Sequence, residues 1–351
     1  MSEIVSPSTA SRADIPGVAP LRIAVTGASG FFGGRVLRHL RDQGHTVFAF
    51  GGRDREHVDE EVRADYSSWD ITAGPLESPP EVDAVVHCAA KVTDWGAHAD
   101  FVRVNVVGTR NVLNTWPEAR FVHISTASVY DDHHIDLLSE DKVVPEQMLE
   151  VKHASWLSSY AITKRLAEFE VATRNPNHAI LRPHAIYGPN DTTILPGLIT
   201  RMRRGKLFIP GHGHEVRISI THVDNLVHSV ECALACNATG TFNVADAVTP
   251  TVHQALSAMF EAVAVDVRIV YVSRTLAWHV APLLEGLWRL RRSPSAPPFT
   301  RYTITHVAWT HMLDLTRTIT LLGYEPAVNF PESIKTVSIE PSIAAQLLPR
   351  K

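Results

Sequence analysis

From Leu21 onward the chain alternates short apolar runs with longer stretches whose apolar positions recur at helical spacing. The short runs predict buried strands and the longer stretches predict amphipathic helices. Strands are predicted at Leu21–Thr26, Thr46–Phe50, Ala84–Ala89, Phe121–Ser125 and Ala179–Arg182. Helices are predicted at Phe31–Gln43, Phe101–Trp116, Trp156–Arg174 and Val223–Ala235. Alternation of this kind implies a parallel sheet, because neighbouring parallel strands need a crossover between them. After Arg182 the rhythm changes, and Pro183, Pro189, Pro196 and Pro210 arrive with many glycines. That segment reads as the start of a smaller domain over the sheet's carboxyl edge, where doubly wound folds bind ligands.

The fold class expected is α/β, a doubly wound parallel sheet of the Rossmann kind with a smaller mixed α/β substrate domain. The expected division is a flexible Ser/Pro/Ala-containing extension over residues 1–20, then a dinucleotide-binding domain over 21–184 and 221–247. The substrate domain takes 185–220 and 248–345, with the Ser293–Phe299 stretch as a proline-rich connector.

Composition narrows the function classes. The 351 residues are 45% hydrophobic and 20% charged, enough to bury a substantial core. A net charge of -4 gives no electrostatic reason to expect nucleic acid or an anionic membrane as a partner. Cys88, Cys232 and Cys236 are an odd number without metal-type spacing and read as reduced residues of a cytoplasmic protein. The first twenty residues carry no signal-peptide core, and no apolar run is long enough for an integral membrane segment. Leu276 to Leu290 comes nearest; His279, Pro282, Glu285 and Arg289 interrupt it. It reads as an amphipathic helix covering a substrate pocket, with peripheral membrane contact as the alternative.

Candidate chemistry begins directly after the first strand, in Gly27-Ala28-Ser29-Gly30-Phe31-Phe32-Gly33. Glycines at such a strand-to-helix junction permit a tight turn, close approach to a pyrophosphate and tight helix–sheet packing. The helix that follows supplies N–H groups and a dipole suited to phosphate. The spacing is G-x-x-G-x-x-G, and a dinucleotide cofactor is the reading. At the end of the second strand stands Phe50-Gly51-Gly52-Arg53, with no carboxylate to bond an adenosine ribose until Asp54. The missing acid and the presence of Arg53 favour NADP over NAD, with Arg55 as a helper; a solvated loop cation is the bland alternative. Asp65, read as following a short strand, is placed to approach the adenine edge.

Tyr160-Ala161-Ile162-Thr163-Lys164 puts a phenol and an ammonium one helical turn apart. A nearby cation lowers a tyrosine pKa, which from near ~10 is otherwise too high for acid/base work at neutral pH. Before this helix, Ser125-Thr126-Ala127-Ser128-Val129-Tyr130 follows a strand. Thr126 would hydrogen-bond the substrate oxygen while Tyr160 gives or takes its proton, and Lys164 would also hold the nicotinamide ribose. Ser125 and Ser128 are the alternative hydroxyls.

The order of these motifs resembles the extended short-chain dehydrogenase/reductase superfamily, with Thr126 where serine is more frequent. The closer likeness is to the 3β-hydroxysteroid dehydrogenase branch, which includes 2-alkyl-3-oxoalkanoate reductases and sterol C4-decarboxylating enzymes. It rests on His87-Cys88-Ala89-Ala90-Lys91-Val92, on Asn105-Val106-Val107-Gly108-Thr109, and on Arg182-Pro183-His184-Ala185-Ile186-Tyr187-Gly188-Pro189. Later strings are His222-Val223-Asp224-Asn225, Pro298-Phe299-Thr300-Arg301-Tyr302 and Leu322-Gly323-Tyr324-Glu325-Pro326. The resemblance implies that Ala89 and Ala90, with Lys91 beside them, line the nicotinamide side of the cofactor site. It places Asn105 behind that site and Pro183-His184 beside the ring. It also implies a homodimer paired through the helices bearing Tyr160 and residues 101–116. Departures are Asp131 and Ala64, each where glycine is frequent.

The activity this implies is hydride transfer between NAD(P) and a hydroxyl/ketone carbon of a lipophilic small molecule, a 3-hydroxysteroid, a sterol or a long-chain 3-oxo acid. Residues between Trp278 and Trp288 are candidates for walling such a pocket. Nucleotide-sugar epimerases and dehydratases share the triad, and Arg217 sits where those enzymes hold a nucleotide phosphate. A non-catalytic NADP-binding regulator is the third reading, against which the retained Tyr160/Lys164 pair counts. No metal is expected: His133-His134 and His212-Gly213-His214 lack the helix-borne spacing of a zinc site.

Overall fold

The computed structural model describes residues 19–130, 137–143, 158–293 and 295–347. Seven strands form one sheet: β1 (Arg22–Thr26), β2 (Thr46–Gly51), β3 (Tyr66–Ser68), β4 (Ala84–His87), β5 (Arg120–Ile124), β6 (His178–Pro183) and β7 (Gly240–Val244). Their spatial order is β7-β6-β5-β4-β1-β2-β3, and every pairing is parallel. The chain runs outward from β1 to β3, then crosses back to place β4 on the other side of β1. This reversal creates the crevice at the carboxyl ends of β1 and β4 where doubly wound folds take a ligand. Each strand expected from the apolar runs lies in this sheet, with bounds moved by one or two residues. β7 was not expected, since Gly240 and Asn243 interrupt its apolar run.

Two corrections concern helices and loops. The segment expected as one helix from Phe101 to Trp116 is α-helical at His98–Phe101, π-helical at Val102–Gly108 and α-helical again at Thr109–Thr115. Asn105 lies in the π-helical part, where its amide oxygen accepts from Lys91 N–H at 2.7 Å and its NH₂ donates to Thr163 at 3.0 Å. Such side-chain ties are of the kind that displace a helix from regular winding, and π-turns recur at functional sites. Asp65 precedes a strand instead of following one, because β3 begins at Tyr66. The helix expected from Trp156 is described from Ser159 to Arg174; its first residues and the Asp131–His134 loop lie outside the described residues.

A core under the sheet joins Ile23, Val25, Val36 and Val86 to Leu226 and Phe242. A second apolar cluster gathers Leu207, Ile209, Ile218, Ile220, Leu256 and Met259. Around it lies a small parallel pair, Lys206–Pro210 with Arg268–Val272. The three cysteines are free thiols, as expected.

Candidate active site

One cleft of about 1540 Å³ runs across the carboxyl ends of the strands and between the two apolar clusters. Pockets for drug-sized ligands occupy roughly 300–1,000 Å³, so this cleft has room for a dinucleotide and a second molecule.

Its floor is the glycine loop. Gly27 has φ +71, and a Cβ there would stand 2.7 Å from the Ala89 backbone nitrogen. A Cβ on Gly33 would come within 2.2 Å of the Gly27 carbonyl oxygen. These contacts explain why the loop cannot carry side chains at either position. The helix Phe31–Asp42 starts at Gly30 with no side-chain cap and no acid in its first turn. Gly30, Phe31, Phe32 and Gly33 all line the cleft, so the uncapped helix end faces it. A dinucleotide pyrophosphate fits this cradle on both steric and electrostatic grounds. Ser29, Arg53, Ala89 and Ala90 line the same cleft, as do Pro183 and His184 further along.

Five residues expected at the cofactor do not line the cleft. Asp65 is ion-paired with Arg41 at 2.6 Å. Lys91 contributes its backbone to Asn105, and its ammonium lies 5.4 Å from the Phe101 ring centroid. Asn105 is buried behind the cleft wall, and so is Lys164. Arg55, offered as a helper to Arg53, donates to the Ala64 carbonyl at 3.2 Å.

The chemistry-bearing residues meet where β5 ends. Thr126 caps a short turn at Ala127–Val129. Tyr160 arrives on the helix Ser159–Arg174, whose own cap is Ser158. Tyr160 and Thr126 both line the cleft. Burial pushes the Tyr160 phenol up to about 12, with the neighbouring Thr126 hydroxyl working in the opposite direction. The group is therefore held as an acid, ready to donate. Lys164 is pulled down to about 8 by burial, and the Glu168 carboxylate partly counters this. Its Nζ donates to the Ile124 carbonyl at 2.6 Å and lies 3.0 Å from His123 Nε2. Burial and the Lys164 charge keep His123 neutral, which suits it to accept that hydrogen bond.

Of the alternative hydroxyls, Ser125 is committed elsewhere, donating to Glu168 at 2.6 Å. Ser128 has a role that sequence reasoning missed. It accepts from Thr126 Oγ1 at 3.1 Å and lies 2.9 Å from the Tyr302 hydroxyl and 3.1 Å from His306 Nε2. His306 Nδ1 is 2.9 Å from the Tyr302 carbonyl, which only accepts. In the neutral ring the proton therefore sits on Nδ1, and Nε2 accepts from Ser128. A hydroxyl chain thus runs from Thr126 through Ser128 to the helix Arg301–Ala308. His184 stacks on His306 at 5.4 Å between ring centroids. The only sequence signal was the Pro298–Tyr302 string, and it did not say which side chain would reach the site.

This arrangement predicts that Ser128→Ala lowers kcat by roughly tenfold, the worth of about one hydrogen bond orienting the Thr126 hydroxyl. The KM for the cofactor should stay constant. Steady-state kinetics with the cofactor and the carbonyl substrate varied in turn would check both; an unchanged kcat would remove Ser128 from the chain.

A glycine cradle at the switch point of a doubly wound sheet, leading to a Thr/Tyr/Lys group, defines a nicotinamide-dependent enzyme of the extended short-chain dehydrogenase/reductase type. The chain belongs to the NAD dependent epimerase/dehydratase family, whose model matches residues 23–245. It is 28% identical over 337 residues to a 2-alkyl-3-oxoalkanoate reductase of Stenotrophomonas maltophilia, covering 90% of this chain and 98% of that one. It is 27% identical over 337 residues to a decarboxylating sterol-4-alpha-carboxylate 3-dehydrogenase of Mus musculus, covering 90% and 89% respectively. Among solved structures, the UDP-glucuronic acid 4-epimerase from Bacillus cereus in complex with NAD superposes with a TM-score of 0.64 at 20% identity, over 92% of this chain and 96% of that one. That likeness is one of fold.

Proposed function

We propose that the protein transfers a hydride between NADP and a hydroxyl or ketone carbon of a lipophilic substrate, a 3-hydroxysteroid, a sterol or a long-chain 3-oxo acid. The observation that carries this is the wall of the cleft beyond Thr126 and Tyr160. Leu207, Ile209, Ile218, Ile220, Leu256 and Met259 all line it, and Trp288 closes one side. An apolar wall favours an alkyl or sterol body over a nucleotide sugar. The relatives named for 2-alkyl-3-oxoalkanoates and sterol carboxylates support the same class. Arg217 counts against a nucleotide sugar, since its guanidinium donates to the Thr249 carbonyl at 2.8 Å outside the cleft wall.

When bound, the nicotinamide supplies or accepts the hydride and, in its oxidised form, a positive charge. The chain's own residues do the rest. Thr126 orients the substrate oxygen by turning its hydroxyl proton from Ser128 Oγ, its partner in the free protein, to that oxygen. Tyr160 gives that oxygen its proton during reduction and takes it back during oxidation. Lys164 keeps a buried cation one helical turn from Tyr160 on the same helix, and holding the nicotinamide ribose is the role this reading gives it. Residues of the second apolar cluster exclude water from the reacting carbon.

NADP is the cofactor of this reading because Arg53 lines the cleft just after β2 and no acid stands there before Asp54. Arg53→Ala is expected to raise the KM for NADP by about ten- to a hundredfold, the worth of a charge-assisted bond to phosphate, and to leave NAD unaffected. Equal effects on both cofactors would return the protein to NAD. The reading also includes a cytoplasmic homodimer paired through the Tyr160 helix, on which Phe169 is 40% exposed.

The test is reduced-nicotinamide formation or consumption by the purified protein with 3-hydroxysteroids, 2-alkyl-3-oxo acids and UDP-sugars. Net turnover of a lipophilic substrate is the expected result. Isomerised UDP-sugar without net cofactor change would overturn it.

A further inference from the structure

The helix Arg274–Leu290 is anchored on one side only. Ala277 and Ala281 pack against Ile304 and Ala308 of the next helix. Glu285 is buried among them, accepting from the Arg301 backbone at 2.7 Å and from its guanidinium at 2.9 Å. The opposite side presents Leu276 (66% exposed), Val280 (37%), Leu283 (74%), Leu287 (39%) and Leu290 (82%). These positions are spaced by four, three, four and three, so they form one continuous stripe. A helix facing water would carry polar residues there.

The charges beside the stripe have one sign. Arg274, Arg289, Arg291 and Arg292 are exposed, and the only acid between Arg274 and Arg292 is the buried Glu285. This sits on a chain whose net charge is -4. The stripe ends at the cleft. Trp288 lines it, as does Val92, which is 51% exposed. Trp95 Nε1 donates to the Ser293 carbonyl at 3.0 Å, tying the helix end to the loop after β4.

We propose that this face docks on an anionic membrane surface, with the helix lying in the interface plane and the cleft mouth against the lipid. No described helix is long and apolar enough to cross a bilayer, and an exposed apolar stripe with basic flanks suits the interface instead. A second copy of the chain fits less well. Helix pairing across such a seam calls for complementary flanking charges, and here arginines would meet arginines. Pro282 and Gly286 also interrupt the regular knobs that a paired helix needs. The purpose of docking rests on the lipophilic-substrate reading: an apolar substrate would pass from lipid to cleft without crossing water.

The experiment is flotation of the full chain with vesicles of phosphatidylcholine alone, or of phosphatidylcholine with roughly a third phosphatidylglycerol. The protein is expected to float with the anionic vesicles, to stay behind with neutral ones, and to be released by about 0.5 M salt. The variant Leu276→Ser/Leu283→Ser/Leu290→Ser is expected to lose at least about tenfold in bound fraction. Its cofactor binding and thermal unfolding should match the parent, since these side chains already face solvent. Absence of flotation, or flotation equal in the variant, would overturn the proposal. A parent dimer that becomes monomeric in the variant, with neither binding vesicles, would assign the stripe to a second copy. Flotation is read without turnover, so failure on every lipophilic substrate would sink the catalytic reading and leave this result standing.

Discussion

Tyr160→Phe is expected to lower kcat by roughly 10²–10⁴-fold, the usual worth of a positioned proton donor, with cofactor affinity retained. The substitution removes one oxygen and keeps the ring that lines the cleft. Thr126 would still face the substrate carbonyl but could not deliver the proton that the alkoxide needs. The effect should appear equally in kcat and kcat/KM, because the lost bond matters only as charge develops on the substrate oxygen. Single-turnover kinetics with preloaded cofactor would separate this from slow product release. A fall of only severalfold would mean that another group, the Ser128 chain being the nearest, carries the proton.

The pH profile sharpens the same assignment. Tyr160 is held as an acid with its pKa about 12, and Lys164 sits at about 8. In the proposed mechanism reduction consumes a proton at Tyr160, whose phenol stays protonated through the neutral range. Lys164, one helical turn away on the same helix, is charged below pH about 8 and loses that charge as pH rises through that value. The decline of carbonyl reduction above this pH would therefore report on Lys164.

What could be read from the sequence follows from how local each signal is. The glycine loop, the strand that precedes it and the Tyr160/Lys164 spacing are each contained in a few consecutive residues, and the parallel sheet follows from the alternation alone. The misreadings are tertiary in origin. Asp65 reads as following a strand, whereas β3 begins after it at Tyr66 and its carboxylate pairs with Arg41 of the first helix. The regular helix expected through Asn105 gives way to π-winding where that amide bonds to the Lys91 backbone and to Thr163 on another helix. Tyr302 and His306 reach Ser128 across 174 and 178 residues of chain, a separation at which periodicity says nothing. The leucine stripe was visible as an apolar run, yet only the buried side of the helix decides which leucines are left facing out.

Glu168 illustrates the same point and carries the largest expected effect on stability. It is 1% exposed and lies one helical turn beyond Lys164. It accepts from Arg182 at 2.7 and 2.8 Å, from Ser125 at 2.6 Å and from Arg165 at 3.1 Å. Burial alone would raise its pKa; Arg182, with Arg165 and Ser125, more than offsets this and holds it below the ordinary carboxylate range. The carboxylate thus joins β5, β6 and the Tyr160 helix at one point beneath the active site. Glu168→Gln keeps the shape and leaves Arg182, 1% exposed, as an uncompensated charge. The expected cost is about 3–5 kcal/mol, a drop in the apparent Tm of roughly 4–7 °C for a chain of this length. The folded pKa is depressed, so the stabilisation is complete above the unfolded value near ~4.5 and is lost as pH falls through the folded one. The parent and variant melting curves should accordingly converge at acid pH. Removing the carboxylate also withdraws the charge that supports a protonated Lys164, so the pH at which reduction declines should move downward. Glu168→Gln combined with Arg182→Met should recover part of the lost stability, because no unpaired charge then remains. A Tm for the single variant equal to that of the parent would mean that Arg182 finds another partner, with Tyr130 and the Glu140 carbonyl already in reach.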